Sequence, residues 1–146
     1  MTSRKLSNRR STSGITIKLG DSTVLWKSKI QKTVAHSTME AEFKVLASAV
    51  SLSIWIKEMI NELGFNYSSI KFYCDNQGCI AALRGDNYKG RCKHNQIHFH
   101  IIQERINFNQ IVLQYIPSES NVADLFTKVL SRFKLQHLKE KLGIGV

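Results

Sequence analysis

The sequence predicts an α/β fold, and three observations carry this prediction. Residues 14–19 and 23–28 are two short apolar stretches that flank the turn-forming pair Gly20 and Asp21, a pattern typical of an antiparallel hairpin. A long run with helical spacing follows. Beyond it, residues 70–77 and 111–116 have the composition of buried strands, and helical patterns lie between them. Strands that alternate with helices in this way indicate a layered α/β domain.

The long helix is the most strongly patterned element. Ser37 and Glu40 form a capping box at its start, and Gly64 is expected to end it. Glu42 lies in the first turns, but the cap does not need it; as a surface residue it would only complement the helix dipole. The apolar residues with helical spacing are Met39, Phe43, Leu46, Ala47, Val50, Ile54, Met59, Ile60 and Leu63.

The second half of the chain contains shorter elements. Residues 78–83 predict a short helix, 84–91 a basic loop, and 94–108 a helix. The apolar face of that second helix is predicted to consist of Ile97, Ile101, Ile102 and Phe108. Pro117 stops the strand at 111–116. A short helix at 122–130 carries Asp124 near its start, and an amphipathic segment at 133–142 ends at Gly143.

Composition limits the classes of function. A chain of 146 residues fits one domain. Its net charge of +10 points to a polyanion, with nucleic acid as the first candidate and a membrane surface as a weaker one. No stretch has the roughly 20 apolar residues of a spanning helix. The cysteines, Cys74, Cys79 and Cys92, lack the spacing of a disulfide framework or a zinc ribbon, which favours a reducing compartment.

Three acids stand out in this basic chain. Asp75 follows a buried strand, where α/β sheets commonly place ligands, although Asp is also a favoured helix cap and both interpretations remain open at this point. Glu42 and Asp124 each lie near the start of a helix. Convergent carboxylates of this kind are what a pair of Mg²⁺ ions needs in order to hold a phosphodiester and activate water.

The order of several motifs along the chain, and the residues within them, resemble one family. These motifs are Arg9-Arg10-Ser11-Thr12-Ser13-Gly14, Trp26-Lys27-Ser28-Lys29, Ser37-Thr38-Met39-Glu40-Ala41-Glu42-Phe43, Cys74-Asp75-Asn76-Gln77, Lys93-His94 with His100, and Asn121-Val122-Ala123-Asp124-Leu125-Phe126-Thr127-Lys128. Together they resemble the ribonuclease H domain of copia-type (Ty1/copia) retrotransposon Pol polyproteins. The resemblance extends from about Ser7 to the end of the chain.

The resemblance implies a ribonuclease H-like mixed sheet in which an antiparallel part precedes parallel strands. It also implies Mg²⁺- or Mn²⁺-dependent hydrolysis of the RNA strand of RNA–DNA hybrids during reverse transcription. Glu42, Asp75 and Asp124 correspond to metal-binding catalytic acids; Glu42 is chosen over Glu40 because it precedes the aromatic Phe43. The residues expected to contact nucleic acid are Arg9, Arg10, Ser13, Lys29, Asn76, Gln77, Arg91, Lys93, His94 and Lys128.

The resemblance further implies a setting. The expected partners are nucleic acid and the reverse transcriptase and integrase regions of a parent polyprotein, in a cytoplasmic virus-like particle or in the nucleus. Residues 1–13 are expected to form a basic arm, 14–130 the ribonuclease H-like domain, and 131–146 a C-terminal amphipathic helix and tail. His94 and His98 are four residues apart, a weak metal-binding pattern, so nucleic-acid backbone contact is the expected role of His94.

The chain also departs from the family pattern. The family carries a further metal-binding aspartate on a first strand, ahead of the Arg9-Arg10 motif, whereas the only acid before Glu40 here is Asp21, at the hairpin tip. The expectations are therefore a sheet whose first strand is missing or incomplete and an impaired nuclease. The alternatives are a catalytically inactive nucleic-acid-binding remnant or domesticated module, and a relic that does not fold by itself.

Overall fold

The computed structural model describes residues 12–30, 38–85 and 93–143. They form four strands and four α-helices in an α/β arrangement, which confirms the predicted class. In chain order the elements are β1 (Thr12–Leu19), β2 (Ser22–Ile30), α1 (Thr38–Glu62), β3 (Ile70–Cys74), α2 (Gln77–Arg84), α3 (Lys93–Asn107), β4 (Ile111–Tyr115), two 3₁₀ helices (Ser118–Ser120 and Val122–Phe126) and α4 (Arg132–Leu142).

The predicted hairpin is confirmed, with strands longer than the alternation indicated. β1 and β2 pair antiparallel, with Gly14 opposite Ser28 and Ile17 opposite Leu25. Gly20 turns the chain at a φ of 60°, a conformation that glycine adopts without strain. Of the hairpin side chains only Ile15 is buried, because the other residues of β1 and β2 are at least partly open to solvent.

The core lies between α1, the β3–β4 pair and helices α2 and α3. β3 and β4 pair in parallel, from Ile70 opposite Ile111 to Cys74 opposite Tyr115, and α2 and α3 form the crossover that parallel strands require. The rings of Phe43 and Phe99 meet edge to face at 5.7 Å. The buried apolar residues of this core are Phe43, Leu46, Ala47, Val50, Phe72, Cys74, Cys79, Ile80, Leu83, Phe99, Ile102, Ile111 and Leu113.

Some predicted core positions are wrong. On α3 the buried residues are Phe99 and Ile102, whereas Ile97 and Phe108 are 55% and 67% exposed. The helical period was correct, but periodicity alone does not say which of two adjacent apolar stripes faces the sheet. On α1 the core residues lie in the first half, while Met59 and Leu63 are exposed near its end. The capping residue proposed for α1, Ser37, lies outside the described residues.

The strands form two separate sheets, β1–β2 and β3–β4, rather than one. The order of an antiparallel pair followed by a parallel pair is as expected, but in the part of the chain that the structure describes no strand joins the two pairs. A groove of about 880 Å³ lies between β1 and β3, and α1 forms one of its walls. We call this space the inter-sheet groove.

The hairpin is attached through the 3₁₀ helix Val122–Phe126. Trp26 stacks on Phe126 with ring centroids 5.2 Å apart, and the Ser28 hydroxyl donates a hydrogen bond to the Phe126 carbonyl at 2.6 Å. Gly14 passes so close that a Cβ there would lie 2.6 Å from the carbonyl oxygen of Ala123. Only glycine therefore allows β1 to approach this 3₁₀ helix.

Helix α4 packs against the same 3₁₀ helix. Ser131 caps its start by accepting a hydrogen bond from the Lys134 amide, and Gly143 ends it in a left-handed conformation at a φ of 70°. Leu138 and Leu142 are buried, as the amphipathic pattern predicted, whereas Leu135 is 38% exposed. None of the described helices combines the length and the apolar character needed to cross a membrane.

Candidate functional site

Asp75 lies directly after β3, at the carboxyl end of the strand. The helix cap of α2 is Asn76, whose side-chain oxygen accepts a hydrogen bond from the Cys79 amide at 3.0 Å. The interpretation of Asp75 as that cap is therefore wrong. One oxygen of Asp75 accepts a hydrogen bond from the Ser118 hydroxyl at 3.0 Å, which orients the carboxylate. Among the described residues, this is the hydrogen bond found for the Asp75 carboxylate, and its other oxygen is a potential ligand.

Glu42 and Asp75 come together from different elements. Glu42 lies one residue before the fully buried Phe43, so the packing of Phe43 fixes the part of α1 that carries it. Of the residues that the structure describes, Glu42, Cys74 and Asp75 are the one group of three potential ligands whose ligand atoms all lie within 4.8 Å of one another. A helix start and a strand end thus bring two carboxylates to one end of the inter-sheet groove.

This proximity has an electrostatic cost. Burial raises the pKa of Glu42 above its usual value of 4.5, and the neighbouring Asp75 carboxylate raises it further. The Lys128 ammonium acts in the opposite direction, and Asp124 adds a smaller upward contribution. A cation bound at this place would stabilise the charged form of Glu42.

Asp124 is near this pair but has its own partners. Its buried carboxylate accepts from Lys128 Nζ, with both oxygens 3.1 Å from that atom, and Lys134 Nζ lies 3.6 Å away. It influences the pKa of Glu42 but is not part of the group of ligands within 4.8 Å. The structure therefore brings two of the three predicted acids together and holds the third nearby in an ion-pair cluster.

Cys74 offers a potential ligand atom, and the sequence did not predict it as a residue of the site. A hydrogen bond from the Cys79 thiol lowers the pKa of Cys74, and the same bond together with burial raises the pKa of Cys79. Cys74 Sγ also accepts a hydrogen bond from the Asn76 amide at 3.4 Å. These partners and the location of Cys74 in the core account for it as a packed residue, and hard cations such as Mg²⁺ prefer oxygen to sulfur.

The donor set fits Mg²⁺. This ion usually binds proteins through one or two carboxylates and keeps its other positions for water and substrate phosphates. Glu42 and Asp75 supply two carboxylates, and the pKa of Glu42 is raised first by burial and then by the charge of Asp75. For Asp124 to join them, Lys128 and Lys134 would have to release one of its oxygens.

The predicted nucleic-acid contacts fall into several groups. Ser13 and Lys29 line a small depression beside the start of α1, together with Lys27 and Lys44. We call these four residues the basic patch. Asn76 is used as a cap, Gln77 opens α2 and is exposed, and Lys128 pairs with Asp124. Arg9, Arg10 and Arg91 lie outside the described residues, and of Lys93 and His94 only the backbone is described, at the start of α3.

Sequence reasoning missed Ser118, Lys27 and Lys44 as residues of the site. Helical spacing does not indicate Lys44, because it follows Glu42 by two residues and residues two apart do not share a helix face. Lys27 was visible within the Trp26-Lys27-Ser28-Lys29 motif, but only the pairing of β1 with β2 places it beside Ser13. No local signal identifies Ser118, which reaches Asp75 across 43 positions of sequence.

Comparison with known proteins relates this chain to the Pol polyproteins of transposons. Over 139 residues, 95% of its length, it is 33% identical to the retrovirus-related Pol polyprotein from transposon TNT 1-94 of Nicotiana tabacum. It is 32% identical over 135 residues, 92% of its length, to the retrovirus-related Pol polyproteins from transposons RE2 and RE1 of Arabidopsis thaliana.

The chain spans about a tenth of the length of these polyproteins: 10% of the first and 9% of the other two. Its homologues are thus copia-type Pol polyproteins, and the resemblance that the motifs indicated is confirmed at that level. No protein-family model matches the chain. No solved structure matches it either.

Proposed function

We propose that this chain is a ribonuclease H-like domain derived from a retrotransposon, which acts on the RNA strand of RNA–DNA hybrids with Mg²⁺ or Mn²⁺. The observation that carries the proposal is the convergence of Glu42 and Asp75 at one end of the inter-sheet groove. Similarity to Pol polyproteins over nearly the whole chain supports the same class of function. Of the three acids, only Glu42 and Asp75 converge among the described residues, and Asp124 stays in contact with two lysines, so cleavage by this chain is expected to be weak.

The residues of the site have distinct roles in this proposal. Glu42 and Asp75 would hold the metal ion, and Ser118 orients Asp75 through its hydrogen bond. A bound Mg²⁺ supplies charge neutralisation at a phosphodiester and lowers the pKa of a bound water. Lys128 reduces the negative charge around Glu42, and Asp124 would become a third ligand if its lysine contacts opened.

The basic patch is proposed to position the nucleic-acid backbone. Lys27, Lys29 and Lys44 lie together close to the turn of α1 that carries Glu42. Each phosphate that a lysine neutralises releases counterions, so binding should weaken with salt by a slope of about 0.9 per contact on logarithmic axes. Replacing all three lysines with alanine should reduce the slope by up to about 3. Lys139 is an exposed residue of α4 outside the basic patch, and Lys139→Ala is the control that removes one positive charge there.

A cleavage assay tests the nuclease proposal. An end-labelled RNA–DNA hybrid is incubated with the chain in MgCl₂ or MnCl₂, and weak cleavage at high protein concentration is expected. Asp75→Asn should abolish it, because it removes one of the two converging carboxylates. Asp21→Asn, at the hairpin tip, removes the same charge without touching the site. Cleavage that persists in Asp75→Asn would overturn the assignment.

The second candidate is a nucleic-acid-binding module without catalysis, which the net charge of +10 and the basic patch favour. It predicts binding to hybrid or duplex that weakens with salt, and no cleavage with either metal. Asp75→Asn would then bind as tightly as the unmodified chain. The two candidates are therefore separated by cleavage, whereas binding is common to both.

The parent polyprotein supplies the wider setting of either candidate. Reverse transcriptase and integrase regions are the proposed partners, in a virus-like particle in the cytoplasm or in the nucleus. Sedimentation of the chain with a reverse transcriptase region expressed from the same element would test the first of these associations.

A further inference from the structure

The Asp124 carboxylate lies at the centre of an ion-pair cluster beside the candidate metal site. It is buried, and two ammonium groups reach it from different parts of the chain. Lys128 Nζ lies 3.1 Å from each of its oxygens, and Lys134 Nζ lies 3.6 Å from one of them. One negative charge is therefore shared by two positive charges. We call Asp124, Lys128 and Lys134 the lysine cluster.

The local backbone holds both lysines in place. The Lys128 amide donates a hydrogen bond to the Asp124 carbonyl at 3.2 Å, which places Lys128 one turn beyond Asp124. The Lys134 amide donates to the Ser131 hydroxyl that caps α4, so Lys134 lies in the first turn of that helix. The Lys134 side chain is 30% exposed, against 56% for Lys128. Lys134 is therefore the more enclosed of the two partners of Asp124.

The lysine cluster lies within electrostatic range of the Glu42–Asp75 pair. Apart from burial, the pKa of Glu42 responds to the charges of three described residues, which are Asp75, Lys128 and Asp124. Lys134 is not one of these three, and its ion-pair contact is with Asp124. Lys134 therefore influences the pair through Asp124, whereas Lys128 also acts on Glu42 directly.

Charge limits the number of divalent cations that these residues can hold. Two carboxylates, Glu42 and Asp75, suffice for one Mg²⁺ ion, whereas a second ion about 4 Å away needs further carboxylate oxygens, which Asp124 would supply. The three carboxylates and the two ammonium groups together carry one net negative charge. One divalent cation reverses this charge, and a second would leave an excess of three positive charges. A second ion must therefore displace a lysine from Asp124.

We propose that the lysine cluster is an internal counter-ion that restricts the site to one divalent cation, and that Lys134 is the positioning residue that keeps Asp124 from binding a second. The inference rests on the proposed function, because it concerns the same metal site. It adds the number of ions that the site holds and the residue that determines this number. In this role Lys134 touches neither the ion nor a substrate, since it acts through Asp124.

Binding of Mn²⁺ to the full chain tests the inference. Free Mn²⁺ is measured by electron paramagnetic resonance during a titration with MnCl₂, because a bound ion loses the sharp signal of the free ion. The unmodified chain is expected to bind one ion, and a second only at much higher concentration. In Lys134→Met the second binding step should tighten about tenfold, because one contact between charged groups no longer competes with the ion. The first step should change less, because Lys134 acts through Asp124.

Three control variants separate this effect from a general loss of positive charge. Lys139→Met removes one charge from the exposed surface of α4 and should leave the second step unchanged. Lys134→Arg keeps the charge and should keep the second step weak. In an Asp124→Asn background, Lys134→Met should not tighten a second step, because the carboxylate that a second ion needs is absent.

Three results would overturn the inference. Two ions bound with similar affinity by the unmodified chain would show that the lysine cluster does not limit the site. An unchanged second step in Lys134→Met, or equal tightening in Lys139→Met, would show that Lys134 does not determine the number of ions. Absence of any Mn²⁺ binding would overturn the metal site of the proposed function as well, whereas the first two results leave that function standing. If Lys134→Met does not fold, Lys134→Gln replaces it, and the number of ions bound by the unmodified chain still decides the first point.

Discussion

Replacing Glu42 with glutamine removes a negative charge that lowers the stability of the folded chain, because Glu42 is partly buried and lies close to Asp75. Carboxylate oxygens of Glu42 and Asp75 lie within 4.8 Å, where two unit charges repel by about 0.9 kcal/mol in water and about 3.5 kcal/mol at an effective dielectric constant of about 20. Glu42 is only half-buried, so solvent screening favours the lower part of this range. Loss of its attraction to Lys128 offsets part of the gain.

We therefore expect Glu42→Gln to stabilise the chain at pH 7 by about 1 kcal/mol, a rise in melting temperature of roughly 3 °C for a chain of this size. The sign follows from the raised pKa of Glu42 in the folded state. The folded state then binds the proton more tightly than the unfolded state, so stability is lost as pH rises through the raised pKa. Below the usual value of 4.5 the carboxyl is protonated in both states, and the gain should vanish.

Thermal melts at pH 4 and pH 7, with and without 10 mM MgCl₂, measure this effect. Mg²⁺ should raise the melting temperature of the unmodified chain at pH 7, because it binds the folded state, and should raise that of Glu42→Gln much less. Glu62→Gln removes the same charge at the exposed end of α1 and is the control. A lower melting temperature of Glu42→Gln at pH 7, or an equal shift at both pH values, would refute the electrostatic reasoning.

Three further substitutions test the structure around the site by chemical denaturation. Gly14→Ala should destabilise the chain by about 1–3 kcal/mol, because its Cβ would lie 2.6 Å from the carbonyl oxygen of Ala123; Gly85→Ala, where the nearest atom is 3.5 Å away, should have a much smaller effect, and equal losses would contradict the close approach. Asn76→Ala should cost about 1 kcal/mol through loss of the α2 cap, and an unchanged midpoint would count against that cap. Asp124→Asn should cost about 1–2 kcal/mol by weakening two lysine contacts, and a stabilised variant would show that this cluster is unfavourable.

Local patterns were sufficient for most of the elements, although the helix predicted over 122–130 is the shorter 3₁₀ helix Val122–Phe126. The alternation in β1, the helical period of α1 and the positions of Pro117, Gly64 and Gly143 located strands and helix ends, because these signals depend on residues close in sequence. It was harder to predict which face of a helix packs into the core. α3 has apolar residues on more than one face, so its packing against α1 and β4 decides that Phe99 and Ile102 are buried while Ile97 is exposed.

The site was predictable in part for a related reason. Asp75 was identified because it follows a strand, where α/β sheets commonly place ligands. Glu42 was identified because the helix cap does not need it and because it precedes Phe43, as in the family that the motifs resemble. The distance of these two acids from Asp124 depends on how the 3₁₀ helix Val122–Phe126 and α4 pack. The same packing brings two lysines into contact with Asp124. Contacts made across many positions of sequence, such as Ser118 with Asp75, leave no periodic trace in the sequence.

In the part of the chain that the structure describes, β1 and β3 each have one edge that no strand pairs with, and such edges bear on self-association. Strand edges of this kind promote self-association, and mutual repulsion between copies opposes it. With a net charge of +10 and lysines along the groove, two copies that approach edge to edge meet like charge. The net positive charge is therefore expected to oppose association between copies of the chain. Excess polyanion, by neutralising that charge, is expected to shift the balance towards precipitation.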